Sequence, residues 1–208
     1  QVELVLDAEA ERMIVRAGRS MFQLAVLPTA DFPSLADGPM PVGFSMAARD
    51  LRTLIDRTRF AISTEETRYY LNGIYLHAAE HDGVKVLRAV ATDGHRLARA
   101  EAPLPDGAEG MAGVIVPRKA VGELRKLLDE AGDRDVSVSV SETKIRFAMD
   151  SVVLTSKLID GAFPDYERVI PSGNDKFALL DRQAFKDAVD RVSTIATEKS
   201  RAVKLALQ

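Results

Sequence analysis

The fold is decided by a stretch that occurs twice in the sequence, as DSVVLTSKLIDGAFP at residues 150–164 and as RSMFQLAVLPTADFP at residues 19–33. Ser20, Leu27, Phe32 and Pro33 recur at a constant shift of 131 residues, as Ser151, Leu158, Phe163 and Pro164. A second pair of segments, at residues 51–57 and 185–191, follows in the same order at a shift of 134. A shift of this size is too long for a solenoid repeat and matches a whole domain. The sequence therefore predicts tandem, similar modules.

The repeat also predicts where the modules begin and end. We expect the C-terminal part of a first module at residues 1–41, a complete middle module at 42–175 and the start of a third at 176–208. The chain begins at Gln1 rather than Met and stops in the third module, so we expect it to be a piece of a longer polypeptide.

The middle module alternates between helical and strand patterns. Apolar residues at helical spacing predict a helix over residues 47–62, and a second helix is expected from Pro117 to just before Gly132. Strands are expected at residues 69–79, 84–92 and 97–102, separated by Asp-Gly turns, and two alternating segments follow at 136–140 and 145–149. This order predicts an α+β fold with two helices on one face of antiparallel sheets.

Composition excludes several classes of protein. With 46% hydrophobic and 28% charged residues, the chain is typical of globular proteins rather than disordered ones. It holds no cysteine, which excludes disulfides, cysteine zinc sites and thiol catalysis in this segment and fits a cytoplasmic protein. We expect no membrane span, cofactor or metal. The net charge of −3 argues against a uniformly basic nucleic-acid binder.

Positive charge is nevertheless concentrated on the two helical segments of the middle module. They sum to +3, so the remainder of the chain sums to −6. Arg118 and Arg125 are seven residues apart, as are Lys119 and Lys126, so each pair is predicted to lie along one helix face. Two interpretations stay open at this point: ordinary solvated helix faces, or a basic surface that attracts phosphates without reading bases. The Tyr69-Tyr70 pair at a predicted strand start could likewise contact nucleic acid or be partly packed.

A polar cluster stands out in ATDGHRLA, residues 91–98. A catalytic role for Asp93 and His95 would need a third group or a metal. His77 and His81 lie on a predicted strand and do not supply a helical metal-binding pair. The alternatives at this point are a small enzyme built around Asp93 and His95, and a purely structural Asp-Gly turn that joins two strands and leaves His95 and Arg96 at the surface.

Four motifs in order give the chain a specific resemblance. ATDGHRLA resembles the signature of the bacterial DNA sliding clamps, the beta subunits of the replicative DNA polymerase III. RYYLNG at residues 68–73, VIVPRK at 114–119 and TSKLIDGAFPDYERVIP at 155–171 resemble the same family. The resemblance extends along essentially the whole chain.

The resemblance implies a ring that acts as a processivity factor and makes or breaks no bond. Members of that family form head-to-tail dimers of subunits with three similar domains, and duplex DNA passes through a channel lined with helices. A pocket beside the Thr-Asp-Gly-His-Arg-Leu segment holds short peptides of polymerases, the clamp loader and repair proteins. Matched position by position, the resemblance assigns peptide binding to Leu71, Thr92, Gly94, His95, Arg96, Leu97, Pro164, Arg168 and Val169, and DNA binding to Tyr69, Tyr70, Arg118, Lys119 and Lys126.

Two departures from the family pattern affect these expectations. The segment Thr64-Glu65-Glu66 is acidic where a DNA-facing loop would gain from basic residues, so no DNA contact is expected there. The resemblance also implies that the given residues include only parts of the first and last modules. Since these supply the ring interface and the far wall of the pocket in the family, we expect the piece alone to form no normal ring and to bind peptides incompletely.

Overall fold

A computed structural model of the chain describes residues 1–9, 11–32, 38–196 and 202–206. Pro33, one of the repeat matches, lies outside these ranges. The chain divides into two units, Gln1–Phe163 and Pro164–Gln208. The module boundaries expected at residues 41 and 175 remain a prediction.

The described residues of the first unit form eleven strands and two helices. In chain order these are β1 (Val2–Asp7), β2 (Arg12–Ala17), β3 (Ser20–Ala25), β4 (Val42–Ala47), α1 (Ala48–Thr58), β5 (Gly73–His81), β6 (Val84–Thr92), β7 (Leu97–Pro103), β8 (Val114–Pro117), α2 (Arg118–Ala131), β9 (Asp135–Val140), β10 (Lys144–Met149) and β11 (Val152–Lys157).

The strands form three antiparallel sheets. The first has the order β1-β2-β3, the second β11-β10-β9-β4 and the third β7-β6-β5-β8. Both copies of the repeated segment contain a strand, β3 in one and β11 in the other. In the third sheet, β6 and β7 pair up to Thr92 opposite Leu97, so the turn between them consists of residues 93–96.

One core joins both helices to the second and third sheets. Alternating residues of β9 and β10 are buried as their pattern predicted, including Val136, Val138 and Phe147. The helical stripes also point inward, with Leu54 of α1 and Leu124 of α2 fully buried. Burying each large aliphatic side chain of this kind contributes about 1.5–3 kcal/mol, so the core fixes how the helices lie against the sheets.

The limits of α2 follow from two residues that the sequence analysis identified. Pro117 is the last residue of β8 and occupies the N-cap position of α2 with φ −60°. The helix itself begins at the next residue, Arg118. Gly132 ends the helix at φ +62°, in the left-handed region that favours glycine.

The strand predicted to begin at Tyr69 starts later, because Glu66–Leu71 forms a 3-10 segment. Local hydrogen bonds hold this segment: Ser63 Oγ accepts from the Glu65 amide at 3.1 Å, and Asn72 Nδ2 donates to the Glu65 carbonyl at 3.1 Å. Strand β5 begins at Gly73, where a Cβ atom would lie 2.3 Å from the Val116 carbonyl oxygen. Tyr69 and Tyr70 are therefore presented from a turn, and the predicted strand start is wrong.

The second unit holds a short 3-10 segment, Tyr166–Val169, and the helix α3 (Arg182–Ser193). Asp181 caps α3, since its Oδ1 accepts from the Ala184 amide at 2.8 Å. The helix contains the predicted segment at residues 185–191. Throughout the described ranges, no helix is long and apolar enough to cross a membrane.

Candidate functional site

The turn between β6 and β7 is held by its own side chains. Asp93 Oδ1 accepts from the amides of His95 at 2.9 Å and Arg96 at 3.0 Å. Thr92 Oγ1 donates to the Arg96 carbonyl at 2.7 Å and accepts from the Gly94 amide at 3.1 Å. Gly94 has φ +88°, which an L side chain rarely adopts. The backbone is thus fixed while the side chains of His95 and Arg96 remain exposed.

The charge state of Asp93 follows from the same contacts. Partial burial raises the pKa of the carboxyl, but hydrogen bonds from the two amides and the Arg96 charge outweigh burial and lower the pKa below its usual value. Asp93 Oδ2 also accepts from Arg96 Nε at 3.1 Å. Both carboxylate oxygens of Asp93 therefore accept hydrogen bonds within the turn. The bond from His95 comes from its backbone amide.

The 3-10 segment containing the tyrosines lies directly against this turn. A Cβ atom at Gly94 would be 2.4 Å from Arg68 Nη1, so the guanidinium of Arg68 covers the glycine. Arg68 in turn donates from Nε to Glu65 Oε2 at 2.9 Å and pairs with it through Nη2 at 2.7 Å. The acidic segment that departs from the family pattern thus supplies the partner of the arginine beside the turn.

Sequence reasoning missed one residue of the site. The Phe60 ring lies beneath the Arg96 guanidinium, with 5.6 Å between Cζ and the ring centroid. Phe60 follows α1 in a 3-10 segment, Arg59–Ala61, and belongs to no motif and no apolar periodicity. No signal in the sequence could have identified it, because the contact joins positions 36 residues apart.

The two helices carry less free positive charge than their composition indicated. Arg125 Nε donates to Asp56 Oδ1 at 2.6 Å, and Arg125 also pairs with Asp129. Arg52 bridges to the same two aspartates, and Arg59 pairs with Asp56. Arg118 and Arg125 lie seven residues apart on α2 but differ in exposure, because packing of α2 on α1 brings Arg125 to Asp56 and leaves its side chain 14% exposed.

The pKa values of this bridge reflect the pairing. Burial raises the pKa of Asp56, but the hydrogen bond from Arg125 and the charges of the three arginines lower it overall. The hydrogen bonds to Asp56 and Asp129 raise the pKa of Arg125. The network therefore stays ionised near neutral pH and belongs to the helix interface.

At the start of α2, Arg118 and Lys119 are both exposed. Neither forms an ion pair with any residue that the structure describes. Lys126, seven residues after Lys119 on α2, pairs with Glu123 at 3.0 Å. Free positive charge on α2 is thus greatest at its N-terminal end.

Comparison with known proteins decides the family. The family model described as DNA polymerase III beta subunit, central domain, matches residues 45–165. The family model for the C-terminal domain of the same subunit matches residues 167–208. The chain belongs to the DNA polymerase III beta subunit family. The resemblance inferred from the motifs is confirmed.

Curated relatives carry the name beta sliding clamp. The clamp of Caulobacter vibrioides is 54% identical over 207 residues, which cover 100% of this chain and 55% of the relative. The clamp of Escherichia coli K12 is 42% identical over 203 residues, covering 98% of this chain and 54% of the relative. The chain thus spans about half the length of the curated relatives it matches.

Solved structures of sliding clamps share the fold. The clamp of Bartonella birtlesii, in a structure bound to griselimycin, is 56% identical to this chain with a TM-score of 0.91. The match covers 100% of this chain and 55% of the Bartonella chain. The clamp of Pseudomonas aeruginosa is 42% identical with a TM-score of 0.82, over 96% of this chain and 52% of its own. The expected α+β clamp fold is confirmed.

The nine residues assigned to peptide binding divide between the two units of this clamp chain. The first unit brings together Thr92, Gly94, His95, Arg96 and Leu97 around one turn, and Leu71 ends the 3-10 segment beside it. Leu71 is only 4% exposed, so its side chain packs inward. Pro164, Arg168 and Val169 lie exposed in the second unit, where Arg168 Nε pairs with Asp165 Oδ2 at 2.7 Å.

The residues assigned to DNA binding occupy two elements of the clamp fold. Tyr69 is exposed and Tyr70 half-buried in the 3-10 segment, with their rings edge to face at 5.8 Å. Gly161 packs against both, since a Cβ atom there would lie 3.1 Å from Tyr70 Cβ. Arg118, Lys119 and Lys126 are on α2.

Proposed function

We propose that this chain works as part of a ring-shaped sliding clamp, the processivity factor of a replicative DNA polymerase. The full-length protein would form a head-to-tail homodimer in the cytoplasm that encircles duplex DNA without sequence specificity. The chain would contribute the modules at residues 1–41, 42–175 and 176–208. Family membership and the arrangement of the turn at residues 93–96 support this proposal.

The single observation that carries the docking role is a backbone fixed by four hydrogen bonds beneath two exposed side chains. His95 and Arg96 are offered to solvent on a turn that loses little conformational entropy when a partner binds. Leu97 and Thr92 are half-buried at the ends of the flanking strands. Such a surface suits a short peptide with an apolar tip and polar groups that accept hydrogen bonds from arginine.

We propose that the partners are the replicative polymerase, the clamp loader and repair polymerases, each binding through a short peptide. All nine residues assigned to the pocket, including Pro164, Arg168 and Val169 of the second unit, would contribute. The contacts of the Asp93 carboxylate do not favour catalysis, because it accepts hydrogen bonds from the turn backbone and from Arg96 rather than from the imidazole of His95. In the described ranges, no group of three or more histidine, aspartate or glutamate residues is placed to hold a metal ion. Membership of the DNA polymerase III beta subunit family supports a non-catalytic subunit.

The DNA-facing surface would be led by Arg118 and Lys119, with Tyr69, Tyr70 and Lys126 beside them. Phosphate contacts of exposed cations are sequence-independent and screened by salt. A closed ring does not need strong contacts, because it leaves DNA only by opening or by reaching an end. Weak contacts would also let it slide.

The docking role is tested by the binding of a fluorescent peptide from a replicative polymerase tail to the full-length protein. We expect Arg96→Ala and Leu97→Ala to weaken binding, while Arg57→Ala, which removes an exposed arginine of α1, leaves it unchanged. Leu97 is half-buried, so a thermal melt of each variant accompanies the measurement. Unchanged affinity in both test variants would overturn the pocket assignment.

The ring is tested separately by loading onto circular DNA. A clamp stays bound to a closed circle and is released when the DNA is cut once. Equal retention on circular and linear DNA would overturn the topological role.

A further inference from the structure

Arg96 is restrained on two sides although its side chain is 58% exposed. On one side, its Nε donates to Asp93 Oδ2 at 3.1 Å. On the other, its Cζ lies 5.6 Å from the centre of the Phe60 ring. A cation at this distance over an aromatic face is attracted to the negative face of the ring. The guanidinium is therefore held between a carboxylate and a ring.

Phe60 is itself held in place from the protein interior. Its neighbours Thr58, Ala61 and Ile62 are buried, and the Ile62 amide donates to the Arg59 carbonyl at 3.3 Å. The ring is nevertheless 56% exposed and borders a groove of about 360 Å³ with Arg59, Ile62 and Arg118. The buried residues at positions 58, 61 and 62 anchor the segment, while the Phe60 ring is open to solvent.

We infer that Phe60 is a positioning residue of the docking site, an inference that rests on the proposed function. Its ring and Asp93 orient Arg96 before the partner arrives, so that the free guanidinium donors face the carbonyl or carboxylate oxygens of a bound peptide. An arginine ordered in advance loses less side-chain freedom on binding. Phe60 thus raises peptide affinity through Arg96 and not through contacts of its own.

The test is a double-mutant cycle on peptide binding to the full chain. Phe60→Leu keeps an apolar side chain but removes the aromatic face, and we expect about two- to fivefold weaker binding, the contribution of one exposed cation–π contact. Phe60→Tyr restores the face and should bind like the parent protein. Phe22→Leu is the matched control, because Phe22 on β3 is 57% exposed and this substitution should leave affinity unchanged.

The cycle is completed in the Arg96→Ala background. There Phe60→Leu should have no further effect, since the group it positions is gone. Further weakening in that background, or unchanged affinity of Phe60→Leu in the parent protein, would overturn the inference. Failure of the parent protein to bind any peptide would instead overturn the proposed function, so the two failures are distinguishable.

A spectroscopic readout separates positioning from a general structural role. The Arg96 Nε–H resonance should lie in the ring-current field of Phe60 and move in Phe60→Leu but not in Phe22→Leu. An Arg96 signal that is the same in the parent protein and Phe60→Leu would contradict the inference.

Discussion

Arg125 and Asp56 join the two helices of the first unit through a hydrogen bond of 2.6 Å between Nε and Oδ1. Arg52 and Arg59 approach the same carboxylate, so one aspartate of α1 serves three arginines. The contact takes positive charge away from the exposed helix surface. It also fixes the orientation of α2, whose N-terminal end carries Arg118 and Lys119.

Replacing Asp56 with Asn should destabilise the first unit. The substitution removes the charge shared by three arginines, and we expect a loss of about 1–2 kcal/mol in the free energy of unfolding, allowing for solvent screening at this partly exposed site. Urea denaturation measures the change. The control is Glu123→Gln, which breaks the exposed pair with Lys126 and should cost less than about 0.5 kcal/mol. Equal losses in both variants would show that the interhelix position of Asp56 is unimportant.

Glu101 should make stability depend on pH in the acid range. Burial raises its pKa, but the hydrogen bond from Arg88 at 2.7 Å, the Arg88 charge, the hydrogen bond with His81 at 2.6 Å and the Arg99 charge outweigh burial and lower the pKa. Because the folded-state pKa is below the unfolded value, the stabilisation is present above the unfolded value of about 4.3 and is lost as pH falls through the folded pKa. Arg88 is only 3% exposed, so this loss leaves a buried cation with one partner fewer.

Glu101→Gln is the corresponding substitution. It should lower the free energy of unfolding at neutral pH by about 1–3 kcal/mol and make that free energy vary less between neutral and acid pH. Glu142→Gln, in the exposed turn between β9 and β10, is the control and should change neither quantity. Denaturation curves at a series of pH values measure both the stability and its change with pH. If stability changes with pH in Glu101→Gln as it does in the parent protein, Glu101 is not the group responsible.

Two glycines should respond in opposite ways to alanine. At Gly73 an added Cβ atom would meet the Val116 carbonyl oxygen at 2.3 Å, and neither backbone can move without separating β5 from β8. We expect a loss of about 3 kcal/mol. At Gly122, inside α2, no neighbouring atom lies within 4 Å of the added atom, and alanine should stabilise by up to about 1 kcal/mol. A denaturation midpoint that does not fall in Gly73→Ala would contradict the close strand approach, and one that falls in Gly122→Ala would contradict the open space beside α2.

Removing the free cations of α2 should reduce the salt dependence of DNA binding. Arg118→Ala and Lys119→Ala should each lower the slope of log affinity against log salt by about 0.9, the value for one phosphate contact on duplex DNA. Lys85→Ala removes another exposed cation, on β6, and is the control. Binding to short duplex DNA at several salt concentrations gives the slopes. A change as large in Lys85→Ala would argue that only overall charge matters.

Local patterns predicted much of the fold. Asp93-Gly94 and Asp82-Gly83 lie at turns between strands, as expected, and Gly132 ends α2. The alternation at residues 136–140 and 145–149 correctly assigned the buried side chains. These features depend on residues a few positions apart. The start of β5 was missed because the Ser63 side chain accepts a hydrogen bond from the Glu65 amide and the Asn72 side chain donates one to the Glu65 carbonyl, which favours a 3-10 segment over the strand suggested by two tyrosines.

The amino-acid sequence was sufficient for the family, the α+β class and the turn at residues 93–96, since motifs, periodicity and turn chemistry are local properties of the chain. Which charges remain free and what lies beneath Arg96 required the folded structure. Asp56 and Arg125 are 69 positions apart, and Phe60 and Arg96 are 36 apart. Only the packing of helices and sheets brings such positions within a few ångströms, where ion pairs and ring contacts form.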